Sequence, residues 1–127
     1  MTQEEKDLLL KDLSARFTYG VKIKYCGNIE ILREKDFDDL FMKYCSGVFD
    51  TCPDVEDIKP YLFPLSSMTE EQKIIYGDLF YATVTTDPSY ALNHINDLID
   101  WLNVNHFDYR GLIGKGLAID ATGLNIY

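Results

Sequence analysis

The chain has 127 residues, 46% of them hydrophobic, and a formal net charge of −9; this length suits one domain that buries roughly two-thirds of its unfolded surface without metal or disulfide. No apolar run approaches the roughly 20 residues needed to span a bilayer. Acidic residues outnumber basic ones 13 to 9 in 1–60 and 8 to 3 in 61–127, which disfavours nucleic acid as a partner, because phosphate backbones are held by clustered Lys and Arg.

The opening MTQEEKDLLL carries acidic residues where a secretory signal carries basic ones, so the expected location is cytoplasmic. Thr2 and Glu5 make a capping-box pattern, and Leu8, Leu9, Leu10 and Leu13 supply an apolar side, predicting a helix over about 3–16. Tyr19-Gly20 breaks it. Val21, Ile23 and Tyr25 then alternate with Lys22, Lys24 and Cys26 in the rhythm of a half-buried strand, and Ile29 to Arg33 can return as its partner across a Gly27-Asn28 turn. Residues 34–58 read either as a short helix at Asp36–Tyr44 or as a second hairpin turning at Ser46-Gly47. The β-friendly residues around that turn favour three or four antiparallel strands.

Pro60 and Pro64 bracket Tyr61-Leu62-Phe63 and force extended backbone on the residues before them, so this stretch reads as a crossover from a sheet half to a helical half, lying against the core. Thr69 and Gln72 form another capping box, with Met68 positioned to staple the first turn. Ile75, Leu79 and Ala82 mark the inner side of that second helix, and Gly77 weakens it. Asp87 caps a third helix and Pro88 suits its first position. Ala91, Leu92, Ile95, Leu98, Ile99 and Leu102 recur at helical spacing, so this helix is expected to bury one long stripe, with Asn93, Asn96, Asp97, Asp100 and Asn103 mainly opposite and Trp101 anchoring the edge. It should end near His106, where Gly111 lets the chain take positive φ.

The expected fold is therefore α+β: an N-terminal helix, a small antiparallel sheet or SH3-like partly closed barrel, and a C-terminal helical pair with an ordered tail. It forms a single domain over 1–127, with 1–58 holding the first helix and sheet and 59–127 the crossover, two helices and tail. The helix at 88–105 is the expected pillar joining both halves.

Cys26, Cys45 and Cys52 leave one thiol unpaired under any scheme and match no zinc-ligand spacing, so they read as buried free thiols. Asp36, Asp38, Asp39, Asp50, Asp54, Glu56 and Asp57 do not fit a calcium loop and read as a solvated acidic rim. His94, Asp97, Asp100 and Asp108 hold a metal only if they converge, and no metal or other cofactor is expected. Gly111 to Gly116 superficially resembles a phosphate loop, but the spacing is wrong and glycine follows Lys115. No G-x-S-x-G marks a serine nucleophile. His106-Phe107-Asp108-Tyr109-Arg110 gathers an imidazole, a carboxylate, a phenol and a guanidinium. This is raw material for acid–base work with His106, Asp108 and Arg110, yet it is also what a helix exit looks like, with Asp108 closing a turn and Arg110 pairing with it or reaching back to carbonyls.

The segments Lys59-Pro60-Tyr61-Leu62-Phe63-Pro64-Leu65-Ser66-Ser67-Met68-Thr69-Glu70-Glu71-Gln72 and His106-Phe107-Asp108-Tyr109-Arg110-Gly111-Leu112-Ile113, with Gly116-Leu117-Ala118-Ile119-Asp120-Ala121 and the opening Leu8 to Arg16, resemble a family of short uncharacterised proteins of Bacteroides-type gut bacteria and their phages. The chain departs from the family's Leu-Pro-Tyr-Gly at Phe17-Thr18-Tyr19-Gly20. The resemblance implies an intracellular accessory protein of a phage or mobile element and brings no activity, cofactor or catalytic residue with it.

The expected function is a non-enzymatic binding module for another protein, with Tyr61, Phe107, Tyr109 and Arg110 as contact residues, since tyrosine is enriched at protein contacts. The alternative is a small enzyme with an acid–base site at His106, Asp108 and Arg110. The sequence leaves the oligomeric state open.

Overall fold

Helix α1 (Gln3–Arg16) begins where the capping pattern places it: the Thr2 hydroxyl accepts from the Glu5 N–H at 3.1 Å. In the computed structural model, which describes residues 2–25, 27–33, 58–84 and 87–127, α1 buries Leu9 and Leu13, and with them Asp12 and Arg16. A 3-10 turn at Phe17–Tyr19 and Gly20, at φ +71°, lead into β1 (Lys22–Tyr25), which pairs antiparallel with β2 (Asn28–Ile31). Tyr25 faces Asn28, so the turn falls one residue earlier than expected, with Gly27 at φ +79°.

The proline-bounded stretch is the centre of the sheet. β3 (Lys59–Pro64) pairs antiparallel with β1 through Ile23 opposite Pro60. It pairs in parallel with β5 (Ile119–Asp120) through Tyr61 and Leu62, and in parallel with β4 (Phe107–Asp108) through Phe63 and Pro64. Prolines argue against a central strand because each withholds a ladder N–H. Here the strand is shared in short pieces: Phe63 N–H reaches His106 O at 2.8 Å, and Leu62 O accepts from Ala121 N–H at 2.8 Å. The sheet is thus a mixed, open one of five strands. That corrects the expectation of a small antiparallel sheet or an SH3-like partly closed barrel, and the reading of 59–64 as a mere crossover.

Helix α2 (Glu70–Thr83) carries the complete capping box, with Thr69 Oγ1 accepting from Gln72 N–H at 3.2 Å and Gln72 Oε1 accepting from Thr69 N–H at 2.9 Å. Helix α3 (Pro88–Val104) is capped by Asp87, which accepts from Ser89 and Tyr90 N–H, and α2 and α3 pack against one another.

Two apolar clusters flank β3. Leu9 and Leu13 of α1 pack with Val21, Ile23, Leu32, Ile58, Leu62, Leu112 and Leu117. Met68, Leu98, Leu102 and Phe107 form the second, with Phe63, Trp101 and Tyr109 against it. The α3 stripe is consequently buried only at its C-terminal end: Leu98 and Leu102 are covered, whereas Leu92 is 62% exposed and Ile95 40%. The element that joins the two clusters is β3 rather than α3, and Asn103, expected on the outer side, is buried. The alternatives for Asp36–Tyr44, the Ser46-Gly47 turn, the acidic residues from Asp36 to Asp57 and all three cysteines lie outside the described residues. Among the described residues, no helix is long and apolar enough to cross a membrane.

Candidate functional site

The segment from Asn103 to Arg110 meets α1 at a buried polar network. Asp12 and Arg16 are one helical turn apart, and both are fully buried. Arg16 Nε donates to Asp12 Oδ2 at 2.9 Å and its Nη2 to Phe107 O at 2.6 Å, while Arg110 Nη1 donates to Asp12 Oδ1 at 2.9 Å. The Tyr109 ring has both guanidinium carbons 4.8 Å from its centroid, and its hydroxyl donates to Asn103 Oδ1 at 2.9 Å. One carboxylate thus holds two arginines from opposite ends of the chain, an arrangement that tolerates burial because the charges are paired and hydrogen-bonded.

Asp108 is a loop closer. Its two oxygens accept from Leu112 N–H and Ile113 N–H, both at 2.9 Å. Its carboxylate therefore shapes the glycine-rich turn, and Arg110 is drawn to Asp12 rather than to Asp108 as the sequence suggested.

His106 stands apart from both. It follows the helix cap Asn105 and takes φ +60°, with its N–H on Asn103 O at 3.1 Å and its C=O held by Phe63 N–H. A residue just past a helix end is commonly left-handed, and glycine is the usual occupant because any Cβ costs energy there. The imidazole stacks on Tyr127 with centroids 3.8 Å apart and planes 16° from parallel. Burial, then the positive charges of Arg16 and Lys22, lower its pKa to about 4, so the ring is neutral at pH 7. Among the described residues, its Nδ1 and Arg16 Nη1 are buried polar atoms without a partner.

Tyr127 itself seals the sheet where β1 and β3 part. Its hydroxyl accepts from Lys22 N–H at 2.8 Å and donates to Tyr61 O at 2.7 Å, and the Lys22 ammonium donates to Ile126 O. Burial pushes this phenol up to about 12. Between the His106–Tyr127 stack and the start of α2 lies a cleft of about 460 Å³, lined also by Phe63, Phe107, Asn105 and Gln72.

His106, Asp108 and Arg110 therefore serve three different arrangements, a stack, a loop and an ion-pair network. Of the expected contact residues, Tyr61 and Phe107 are interior, 7% and 2% exposed, and Tyr109 and Arg110 are half-buried in the Asp12 network. These four residues do not form an exposed patch: pairing with β1 and β5 holds Tyr61 inside, and Phe107 packs in the second apolar cluster. The His94 ring lies tilted against that of Tyr90 and its Nδ1 lies 2.8 Å from Tyr90 O, while Asp100 accepts from the Tyr19 hydroxyl at 2.9 Å, which raises the pKa of that phenol. Among the described residues, no group of three or more His, Cys, Asp or Glu gathers where it could hold a metal ion.

Exposed apolar surface is found instead on the helical pair. No residue of α2 is buried, and Ile74, Phe80 and Tyr81 are exposed, the last by 79%. Tyr81, Val84 and Tyr90 line a depression of about 360 Å³ with Asp78 and Ala82. The signal for this was in the sequence: Ile74, Ile75, Tyr76, Leu79, Phe80 and Tyr81 place apolar groups all round α2, more than one contact face can cover. Comparison with known proteins finds no matching family model, no matching curated protein and no matching solved structure.

Proposed function

We propose that the protein is a non-enzymatic interaction module whose helical pair receives the surface of another protein. The observation that carries this is the apolar exposure of α2 and the N-terminal half of α3, where Tyr81, Val84, Tyr90 and Leu92 face solvent. Exposed apolar surface of this kind, where no helix among the described residues is long and apolar enough to cross a membrane, marks a contact site for protein. The frame around it is acidic: Glu70, Glu71, Asp78, Asp87, Asp97 and Asp100 stand against Lys73 alone. The partner is therefore a protein surface of apolar side chains rimmed by Lys and Arg, because like charges across the rim would oppose a second copy of this acidic chain. The contact residues move from Tyr61, Phe107, Tyr109 and Arg110 to the helical pair. The accessory role in a phage or mobile element implied by the resemblance belongs to the same proposal.

The test uses the double variant Tyr81→Glu, Tyr90→Glu as bait beside the unchanged chain in extracts of the native host. A protein retained by the unchanged chain, lost by the variant and released by salt supports the reading. Identical capture by both, or none by either, refutes it. A concentration-dependent dimer in sedimentation would make the occupant a second copy.

A further inference from the structure

The cleft beside His106 is separate from the helical-pair surface and differs from it in chemistry. We propose that it is a binding site for an uncharged, planar heteroaromatic small molecule with donor and acceptor atoms on one edge, the chemistry of a free nucleobase or nucleoside.

Size and lining carry the first step. At about 460 Å³ the cleft falls within the range of pockets that enclose small ligands. Its walls are aromatic, from Phe63, Phe107 and the His106–Tyr127 stack, and flat rings pack well against such faces. Among the described residues no Asp, Glu, Lys or Arg lines it, in a chain of net charge −9. A charged ligand would find no counter-charge on the lining, whereas an uncharged one loses little by entering.

The polar groups are oriented by bonds made elsewhere. Asn105 donates its Nδ2 to Trp101 O at 2.9 Å, so its Oδ1 is left as an acceptor. Gln72 accepts the Thr69 N–H on Oε1, so its Nε2 is left as a donor. Each carboxamide is thereby fixed against flipping, one as acceptor and one as donor. His106 adds the ring of a neutral imidazole, whose Nδ1 is buried and has no partner among the described residues. Its backbone holds a left-handed conformation that glycine would adopt at less cost. A bulky ring kept at such a position, with an unmet nitrogen, is consistent with a ring that is used.

The experiment is ligand-observed NMR on the full chain with adenosine, guanosine, cytidine and uridine at millimolar concentration, each beside its 5′-monophosphate. At least one nucleoside should show saturation transfer and shift the His106 ring signals, with its monophosphate about tenfold weaker or silent. Gly tolerates the backbone at position 106, so His106→Gly should fold and lose binding. Gln72→Glu keeps the capping-box geometry while removing the donor and adding charge, and should weaken binding about tenfold, as expected for one lost hydrogen bond. Lys115→Ala should bind unchanged. Silence from all four nucleosides, binding that survives His106→Gly, or tighter binding of a monophosphate would each overturn the proposal. None of these outcomes bears on capture through Tyr81 and Tyr90, so the two proposals stand or fall separately.

Discussion

The rings of His106 and Tyr127 lie 3.8 Å apart and nearly parallel, and Tyr127 in turn bonds Lys22 on β1 and Tyr61 on β3. A helix exit and two strands therefore converge on one aromatic pair, and the first two predictions concern its protonation.

Lowering pH should destabilise the fold earlier than carboxylate titration alone requires. The His106 pKa is lowered to about 4 in the folded state, whereas an unfolded histidine titrates near pH 6.5. A depressed folded pKa contributes stability that is complete above about 6.5 and is lost as pH falls toward 4, by at most about 3 kcal/mol. Protonation would place a cation facing Arg16 and Lys22. Urea unfolding measured at several pH values should show this slope between pH 6.5 and 4, and His106→Gly should flatten it.

At the alkaline end the sign reverses. The Tyr127 pKa is raised to about 12 in the fold, so stability present below pH 10 falls as pH rises beyond it, and absorbance at the phenolate band should show a late-titrating component that is lost in Tyr127→Phe while that of Tyr19 remains. That variant also strands Lys22 N–H and Tyr61 C=O. Its expected cost is about 2 kcal/mol, the usual penalty for polar groups left unsatisfied.

Asp12→Ala should be the most damaging single change on α1. It leaves Arg16, fully buried, without its ion pair and removes the anchor of Arg110; breaking a buried pair from one side costs about 3–5 kcal/mol. Arg110→Ala should cost less, because its side chain is 19% exposed and Asp12 keeps Arg16. Chemical denaturation of the two variants gives the order, and equal losses would contradict it.

Asp108→Ala should destabilise by about 2 kcal/mol through the amides of Leu112 and Ile113 that it leaves uncapped. Amide exchange should accelerate at those two residues first. If their protection is unchanged, the loop is held by something other than the carboxylate.

Local signals proved readable where one residue acts on its near neighbours. Thr2, Thr69 and Asp87 cap the helices they were expected to cap, and the β1–β2 hairpin follows from alternation. Misreadings arose where the deciding contact is distant in the chain. Pro60 and Pro64 argue locally against a strand, and only the supply of partners from 106–121 makes β3 one. Asp12 and Arg16 resemble an ordinary exposed helical pair until Phe107 and Arg110 cover them. The stripe of α3 is covered only toward its C-terminal end, which periodicity does not reveal, because periodicity reports which face is apolar and says nothing of how much of that face a neighbour reaches. The helix-exit cluster was visible as a cluster, but its members diverge because left-handed backbone at His106 turns the chain between them.

The way β3 borrows its neighbours has a kinetic meaning. Two of the strands beside it, and the phenol that bridges it to β1, come from residues 107 to 127. On a ribosome, a nascent chain that has emerged only as far as the helical pair has one flank of that strand bare, and transiently unpaired edges of this sort are where aggregation starts. The stretch from Phe107 to Ala121 must therefore emerge before the sheet can close, which makes its pairing with β3, rather than formation of any helix, the step that completes the topology.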